Sequence, residues 1–196
     1  NNVSGQLVIE VSDGSGYIER QQIPVYFGEL NSFFSDDAEN GFQNWNGNWG
    51  IEQNDGNKVF SDSPNGPYDN EETTFMKMNT PVNLSQVPLA ILSYDVKWDI
   101  EDNWDFAQVL ISTDGQSFTP LQGPFMSLGA GQGAQPNNEY GYEGSSDWVH
   151  ETISLAPYVG DASVWLKFQL KSDQHQIGDG ILVDNIQLIT VGNEPV

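Results

Sequence analysis

The chain contains no cysteine, which excludes a disulfide framework and any thiolate metal site. Basic residues are scarce. Six Lys plus Arg stand against 28 Asp plus Glu, a formal net charge of −22 over 196 residues. That balance argues against nucleic acid and anionic membrane surfaces as partners, because both demand clustered Lys or Arg. No run approaches the roughly 18 apolar residues of a membrane span, so membrane insertion is not expected. No window carries a helical period. No signal peptide is evident, and a start at Asn1 without Met reads as a piece excised from a longer precursor.

Catalytic motifs are missing as well. The two histidines, His150 and His175, belong to no His-Glu-x-x-His helix. There is no Gly-x-Ser-x-Gly elbow, no cysteine nucleophile and no Gly-rich phosphate loop between a strand and a helix. A Ser–His–Asp set can be assembled from any chain this rich in Ser and Asp, and nothing in the sequence marks one. The acids in "WDIEDNWD" do not follow the spacing of jelly-roll glucanases, which sets glycoside hydrolysis aside. The expectation is a fragment without catalytic function.

What the chain does have is aromatic and β-branched residues in regular patterns. Six Trp, seven Tyr and ten Phe supply core volume, and they exclude a disordered acidic tail. Cation binding and salt adaptation remain as readings of the acids, and both can hold. "QLVIEV", "QIPVYF", "TFMKMN", "AILSYDVKW", "FAQVLIST", "SVWLKFQL" and "ILVDNIQLIT" alternate with period two or nearly so, separated by "SDGSG", "NDGN", "SPNGP", "STDGQS" and "IGDG". In "SVWLKFQL" the alternation puts Val164, Leu166, Phe168 and Leu170 on one face. Short strands between Gly-, Pro- and Asn-rich turns predict an all-β fold, a jelly-roll β-sandwich with an N-terminal β-hairpin segment. Residues 1–29 read as that hairpin, either the end of an upstream immunoglobulin-like domain or an added strand pair. Residues 30–196 form the jelly-roll domain. The stretch from Gly123 to Trp148 reads as a long loop.

Several phrases taken together resemble a known family. "FSDDAENGFQNWNGNWGI" is followed by "FSDSPNGPYDNEETTFMKMNTPVNLS", then by "LSYDVKWDIEDNWDFAQVLISTDGQSFTPLQG" and "YEGSSDWVHETISLAPYVGDASVWLKFQLKSD…GDGILVDNIQL". Over about residues 33–190 this order resembles the C-terminal jelly-roll accessory domain of secreted bacterial peptidases: zinc carboxypeptidases, subtilases and enzymes of the immune inhibitor A type. It is similar in layout to MAM domains and cleaved-adhesin modules. The resemblance implies an extracellular or cell-surface jelly roll, often with structural calcium, placed C-terminal to a peptidase. The parent is then a secreted metallo-carboxypeptidase, a zinc carboxypeptidase foremost, or another peptidase. The expected partners are the catalytic domain of the same precursor and a protein or polysaccharide surface.

The acids suggest where calcium would sit. Calcium takes six to eight oxygens, with carboxylates and backbone carbonyls foremost. The densest run holds Asp99, Glu101, Asp102 and Asp105, without the glycine of an EF-hand loop. "SDDAEN" offers Asp36, Asp37 and Glu39, and "GDGILVDNI" offers Asp179 and Asp184. Asp184 interrupts an apolar strand, where a lone buried carboxylate is costly and few bases exist to pair it. It is expected at or beside a calcium ion, with Asp37 or Glu39 as co-ligand and Asp62 of "SDSPNGPY" as third. The bland alternatives are an outward strand-end position for Asp184 and an Asx-turn for Asp62. The metal candidates are therefore Asp37, Glu39, Asp62, Glu101, Asp105, Asp179 and Asp184.

A carbohydrate-binding module is the competing class. Trp45 and Trp49 lie among Asn and Gly in "GFQNWNGNWG", and Tyr140 and Tyr142 lie in the long loop. Exposed, these rings would stack on sugars, although packing at the sandwich edge is favoured for the two tryptophans. Trp98, Trp104, Trp148 and Trp165 are expected in the core.

Overall fold

The computed structural model describes residues 3–12, 15 and 18–192. Strands β1 (Val3–Ser12) and β2 (Ile18–Phe27) form an antiparallel hairpin. Among the described residues they pair only with each other. Leu7, Val8, Ile9, Val11 and Ile18 of this ribbon are exposed.

The chain then alternates between two sheets. It runs through β3 (Leu30–Asp36), β4 (Trp45–Gly47), β5 (Gly50–Asn54), β6 (Asn57–Ser61), β7 (Thr73–Met78), β8 (Ile91–Ile100) and β9 (Phe106–Ser112). It continues with β10 (Thr119–Pro120), β11 (Ser127–Ala130), β12 (Asn137–Gly141), β13 (Gly144–Ser154), β14 (Trp165–Lys171) and β15 (Gly180–Val191). One sheet has the order β10-β9-β14-β7-β4 and the other β13-β8-β15-β6-β5, all antiparallel, with β3 pairing the second half of β15. This is the jelly-roll β-sandwich that the turn-punctuated alternation implies. No helix among the described residues is long and apolar enough to cross a membrane.

The core lies between the sheets. Val164, Leu166, Phe168 and Leu170 are at most 1% exposed, sharing the predicted face. They meet Leu92, Tyr94 and Val96 of β8 and Val183, Ile186 and Leu188 of β15. On β15 the inward set shifts from odd to even numbers between Val183 and Ile186. The shift is a bulge that opposes Asp184 to Asp95 and Gln187 to Ser93, with Asn185 at φ 50°. Asp184 is on the outer side by alternation with the inward Val183, and the bulge that follows it brings Ile186 inward.

Three expectations need correction. The segment from Gly123 to Trp148 is not a featureless loop. It forms β11, β12 and the start of β13, and Gly129 and Gly141 lie against the Phe106 ring, so β9 is covered on both faces. Glycine-rich composition hid these strands, because close backbone approach needs glycine and glycine carries no hydrophobic period.

Of the four aromatics considered for a sugar surface, Trp45 and Trp49 pack into the sandwich, as favoured for them, at 2% and 5% exposed. The Trp45 ring meets Phe34, Phe60 and Phe168 edge-on, and its indole N–H donates to Asp36 Oδ2 at 3.0 Å. Tyr142 is fully buried and Tyr140 half-buried against the core. Three of the four aromatic candidates are thus closed to a surface ligand.

Trp98 is buried as expected, and Trp165 is partly buried. Trp104 and Trp148 instead stand exposed at 43% and 38%. Trp104 sits in a tight loop between strands, and Trp148 at a register shift in β13, where strand alternation no longer sets the direction of a side chain.

Candidate metal centre

Three connections meet at one end of the sandwich: β6 to β7, β8 to β9, and β14 to β15. Their meeting follows from register. Lys171 at the end of β14 pairs with Phe106 at the start of β9, so the residue pairs just outside the ladder, Ser172–Asp173 and Trp104–Asp105, are neighbours. Asp173 N–H donates to Asp105 Oδ1 at 2.6 Å. Glu101 completes the group, and carboxylate oxygens of Glu101, Asp105 and Asp173 all lie within 4.8 Å of one another. Among the described residues this is the group of three or more His, Asp or Glu that meets that condition.

Tyr68, from the "SDSPNGPY" segment, locks the cluster. Its N–H donates to Gly178 O at 3.3 Å. Its hydroxyl donates to Asp105 Oδ2 at 2.8 Å and accepts Glu101 N–H at 3.1 Å. Glu101 Oε1 accepts the Gln176 amide. Glu101 Oε2 is buried and accepts nothing. Asp173 Oδ1 accepts His175 N–H at 2.9 Å.

No Lys or Arg enters this group. Lys58–Glu39 and His150–Asp95 are ion pairs elsewhere in the sandwich. Burial, and then the charge of Asp173, push the Asp105 carboxyl above the usual range. Glu101 is raised by burial and by both acidic neighbours. Two carboxylates about 5 Å apart repel by about 3 kcal/mol at an effective dielectric near 20. The arrangement is therefore a concentrated negative site of hard oxygen donors, the chemistry that suits Ca²⁺.

The other sequence candidates are dispersed. Asp184 is 5% exposed and is not a lone carboxylate, for Oδ2 accepts the Asn57 amide and Oδ1 accepts Asn185 N–H, both at 2.7 Å. Burial and the charges of Asp95 and Asp37 raise its pKa. Glu39 is engaged by Lys58, which donates to Glu39 O at 2.8 Å, and Asp37 Oδ1 accepts Glu39 N–H at 3.2 Å. Asp184, Asp37, Glu39 and Asp62 do not form one cluster. Asp62 instead bonds Ile181, near the three-carboxylate end, where burial pushes its carboxyl up to about 7. Asp179 is exposed beside it, and Ser63 Oγ donates to Asp179 O at 3.2 Å. Asp99 and Asp102 line the cleft that also holds Glu101, Trp104 and Ile177.

Asp173, Tyr68 and Gln176 are absent from the sequence reading. The usable signal was the pairing of "SVWLKFQL" with "FAQVLIST", which carries Asp173 to Asp105 by register alone.

The structure also assembles a hydrogen-bonded Ser–His–Asp row that the sequence does not mark. His150 Nδ1 lies 2.7 Å from Asp95 Oδ1, and Ser93 Oγ lies 3.0 Å from His150 Nε2. Ser93 and Asp95 share the outer face of β8, and His150 pairs with Asp95 across the ladder. Ser93 is 4% exposed in mid-strand between β13 and β15, whose ladders use the surrounding N–H groups. The row is a cross-strand polar ladder on the outer face of the sheet.

Comparisons agree with this architecture. A comparison with curated proteins finds no match. Among solved structures, the chain is similar to the K1 cleaved adhesin domain of Lys-gingipain from Porphyromonas gingivalis. That match has a TM-score of 0.52 and 14% identity, and it covers 84% of this chain and 100% of that one. It is also similar to the K3 cleaved adhesin domain of the same protein, with a TM-score of 0.51, 16% identity, and coverage of 83% and 100%. At these identities the likeness speaks to the fold. The family model for the MAM domain of immune inhibitor A-like proteins matches residues 54–195, most of the described sandwich and the whole of the carboxylate cluster. The chain therefore belongs to the immune inhibitor A-like MAM domain family, as a non-catalytic accessory module of a peptidase.

Proposed function

We propose that this module is a calcium-binding accessory domain of a secreted peptidase, with a zinc carboxypeptidase foremost as parent. Calcium would tie the loops at one end of the sandwich in place of disulfides. The observation that carries the reading is the meeting of Glu101, Asp105 and Asp173 from two separate connections. They lie within 4.8 Å, no basic side chain is hydrogen-bonded to them, and one buried Glu101 oxygen is unused. A divalent ion would cancel their mutual repulsion and fix the β8–β9 and β14–β15 connections against each other. Binding to the folded state alone stabilises it by mass action. A domain held this way could serve the catalytic domain of the same precursor as a rigid spacer, or present a surface to a protein or polysaccharide.

The competing carbohydrate-binding role rested on Trp45, Trp49, Tyr140 and Tyr142. Only the half-buried Tyr140 keeps a partly open ring, so no observation favours that reading.

The test is isothermal titration of the metal-stripped domain with Ca²⁺, repeated on Asp105→Asn and Asp173→Asn. Saturable binding that either substitution weakens at least tenfold supports the proposal. Binding unaffected by both, or no binding in the native chain, overturns it.

A further inference from the structure

The two sheets differ in charge. One carries acids along its strands, among them Asp36, Asp95, Asp99 and Asp184. The strands of the other, β4, β7, β9, β10 and β14, contain no Asp or Glu. They hold Lys77, Lys167 and Lys171, three of the six basic residues of the chain. Scarcity along the sequence thus hides a local basic patch.

Alternation turns all three lysines outward. Lys167 and Lys171 alternate with the buried Leu166, Phe168 and Leu170, and Lys77 stands between the buried Met76 and Met78. Lys167 and Lys77 are register partners across β14 and β7, with Asn46 of β4 next in the row. Like charges directly opposite one another on a sheet destabilise it. Lys167 rests on neutral groups: Nζ donates to Gln169 Oε1 at 3.0 Å and lies 4.6 Å from the centre of the Phe118 ring. Burial, and then the charges of Lys171 and Lys77, hold its ammonium below the usual lysine range. Glu139 of β12 reaches over β9, where it accepts the Gln108 amide at 3.1 Å.

Such a face suits an anion, and its layout suits a chain of them. Lys171 follows Lys167 by four residues on the same strand, about 13 Å in extended backbone, which is more than one small anion spans. The composition points away from a protein partner. Protein interfaces enrich Arg and exposed aromatics and deplete Lys, whereas this face offers lysines without arginine. Screening confines the field of the other acids to within about 8 Å at physiological ionic strength, so the patch acts locally despite the net charge.

We propose that the outer face of β4, β7 and β14 is a docking surface for an acidic polysaccharide, a glycan with repeating carboxylate or sulfate groups that Lys77, Lys167 and Lys171 hold. The surface works through charge and not through ring stacking, so neutral glycans do not occupy it. It gives a chemical class to the polysaccharide surface of the accessory reading, and it shares no residue with the carboxylate cluster.

The test is native electrophoresis of the domain in gels containing hyaluronate (carboxylated) or dextran sulfate (sulfated), with neutral dextran as the blank and polyglutamate as a protein-like polyanion. At least one acidic glycan should retard the native chain relative to neutral dextran. Lys77→Gln with Lys167→Gln should weaken that retardation at least about fivefold in apparent affinity. Lys58→Gln, which removes a charge elsewhere, should leave it unchanged. No retardation by either acidic glycan, or retardation that the double variant keeps, overturns the proposal. Retardation by polyglutamate and by neither glycan also overturns it and assigns the face to an acidic protein. Should the double variant fail to fold, Lys77→Gln and Lys171→Gln decide singly, each with an expected loss of about twofold, and unaltered affinities in both refute the assignment. Because the readout is lysine-dependent retardation and not calcium uptake, this proposal and the calcium reading fail separately.

Discussion

The phenol of Tyr68 donates a 2.8 Å hydrogen bond to Asp105 Oδ2, across 37 residues of sequence, while its oxygen accepts the N–H of Glu101. One side chain of the "SDSPNGPY" segment thereby orients two of the three clustered carboxylate residues. Removing the hydroxyl in Tyr68→Phe strands the Glu101 N–H and frees one Asp105 oxygen. Denaturant unfolding of the metal-free domain should report a loss of about 1–3 kcal/mol. Calcium affinity should also fall several-fold. A loss under about 0.5 kcal/mol with unchanged affinity would show that the phenol does not organise the site.

Calcium should raise the melting temperature in a way ionic strength cannot. At a free concentration one hundred times the dissociation constant, a single site adds about 2.7 kcal/mol. For a chain of this size that is about 5–10 °C. Differential scanning calorimetry in EDTA, in EDTA with excess Ca²⁺, and in NaCl of matched ionic strength separates specific binding from salt adaptation of an acidic surface. Equal recovery in NaCl would favour salt adaptation.

The pH dependence of the metal-free domain follows from the raised carboxylates. Burial makes Asp62 hold its proton to about pH 7 when folded, against 3.8 for an ordinary aspartate. Between those values the folded state binds more protons than the unfolded one. Stability is then fully present below about pH 4 and is lost as pH rises through 7. Glu101, Asp105 and Asp184 shift in the same direction. Asp114 opposes them only at lower pH. Hydrogen bonds from Gln116 and Ser117 N–H hold its carboxyl at about 2, so its contribution is lost as pH falls from 3.8 through that value. Urea unfolding in EDTA should therefore show stability falling from pH 4 to pH 7, by up to a few kcal/mol from Asp62. Asp62→Asn should flatten much of that slope. A stability that rises over this interval in EDTA would contradict the assigned directions.

Trp45→Ala should cost about 3–5 kcal/mol, because the ring packs on Phe34, Phe60 and Phe168 in the closed core. Titration with neutral oligosaccharides should leave the tryptophan fluorescence of the native domain unchanged. A saturable shift lost in variants of the exposed Trp104 or Trp148 would revive a carbohydrate role at a different surface.

Much of the fold was legible because strand alternation is a local signal. Val164, Leu166, Phe168 and Leu170 share a face on spacing alone, and turn residues separate one strand from the next. The segment from Gly123 to Trp148 was not legible, since its strands are rich in Gly, Ser and Asn, and Gly129 and Gly141 pack through their backbone against Phe106. At the site, Glu101 and Asp105 stood out by local acid density. Asp173 did not, because its role depends on β14–β9 register, which is a property of pairing and not of sequence neighbourhood. Asp184 was rightly singled out as a buried carboxylate, but its partners are the amide of Asn57 and a backbone N–H at a bulge, neither of which charge counting detects.

The most direct test of the central claim is a crystal of the domain soaked in calcium and measured for anomalous scattering. The account predicts a peak about 2.3–2.6 Å from oxygens of Glu101, Asp105 and Asp173. A map with full calcium occupancy elsewhere and none between these three carboxylates would contradict it.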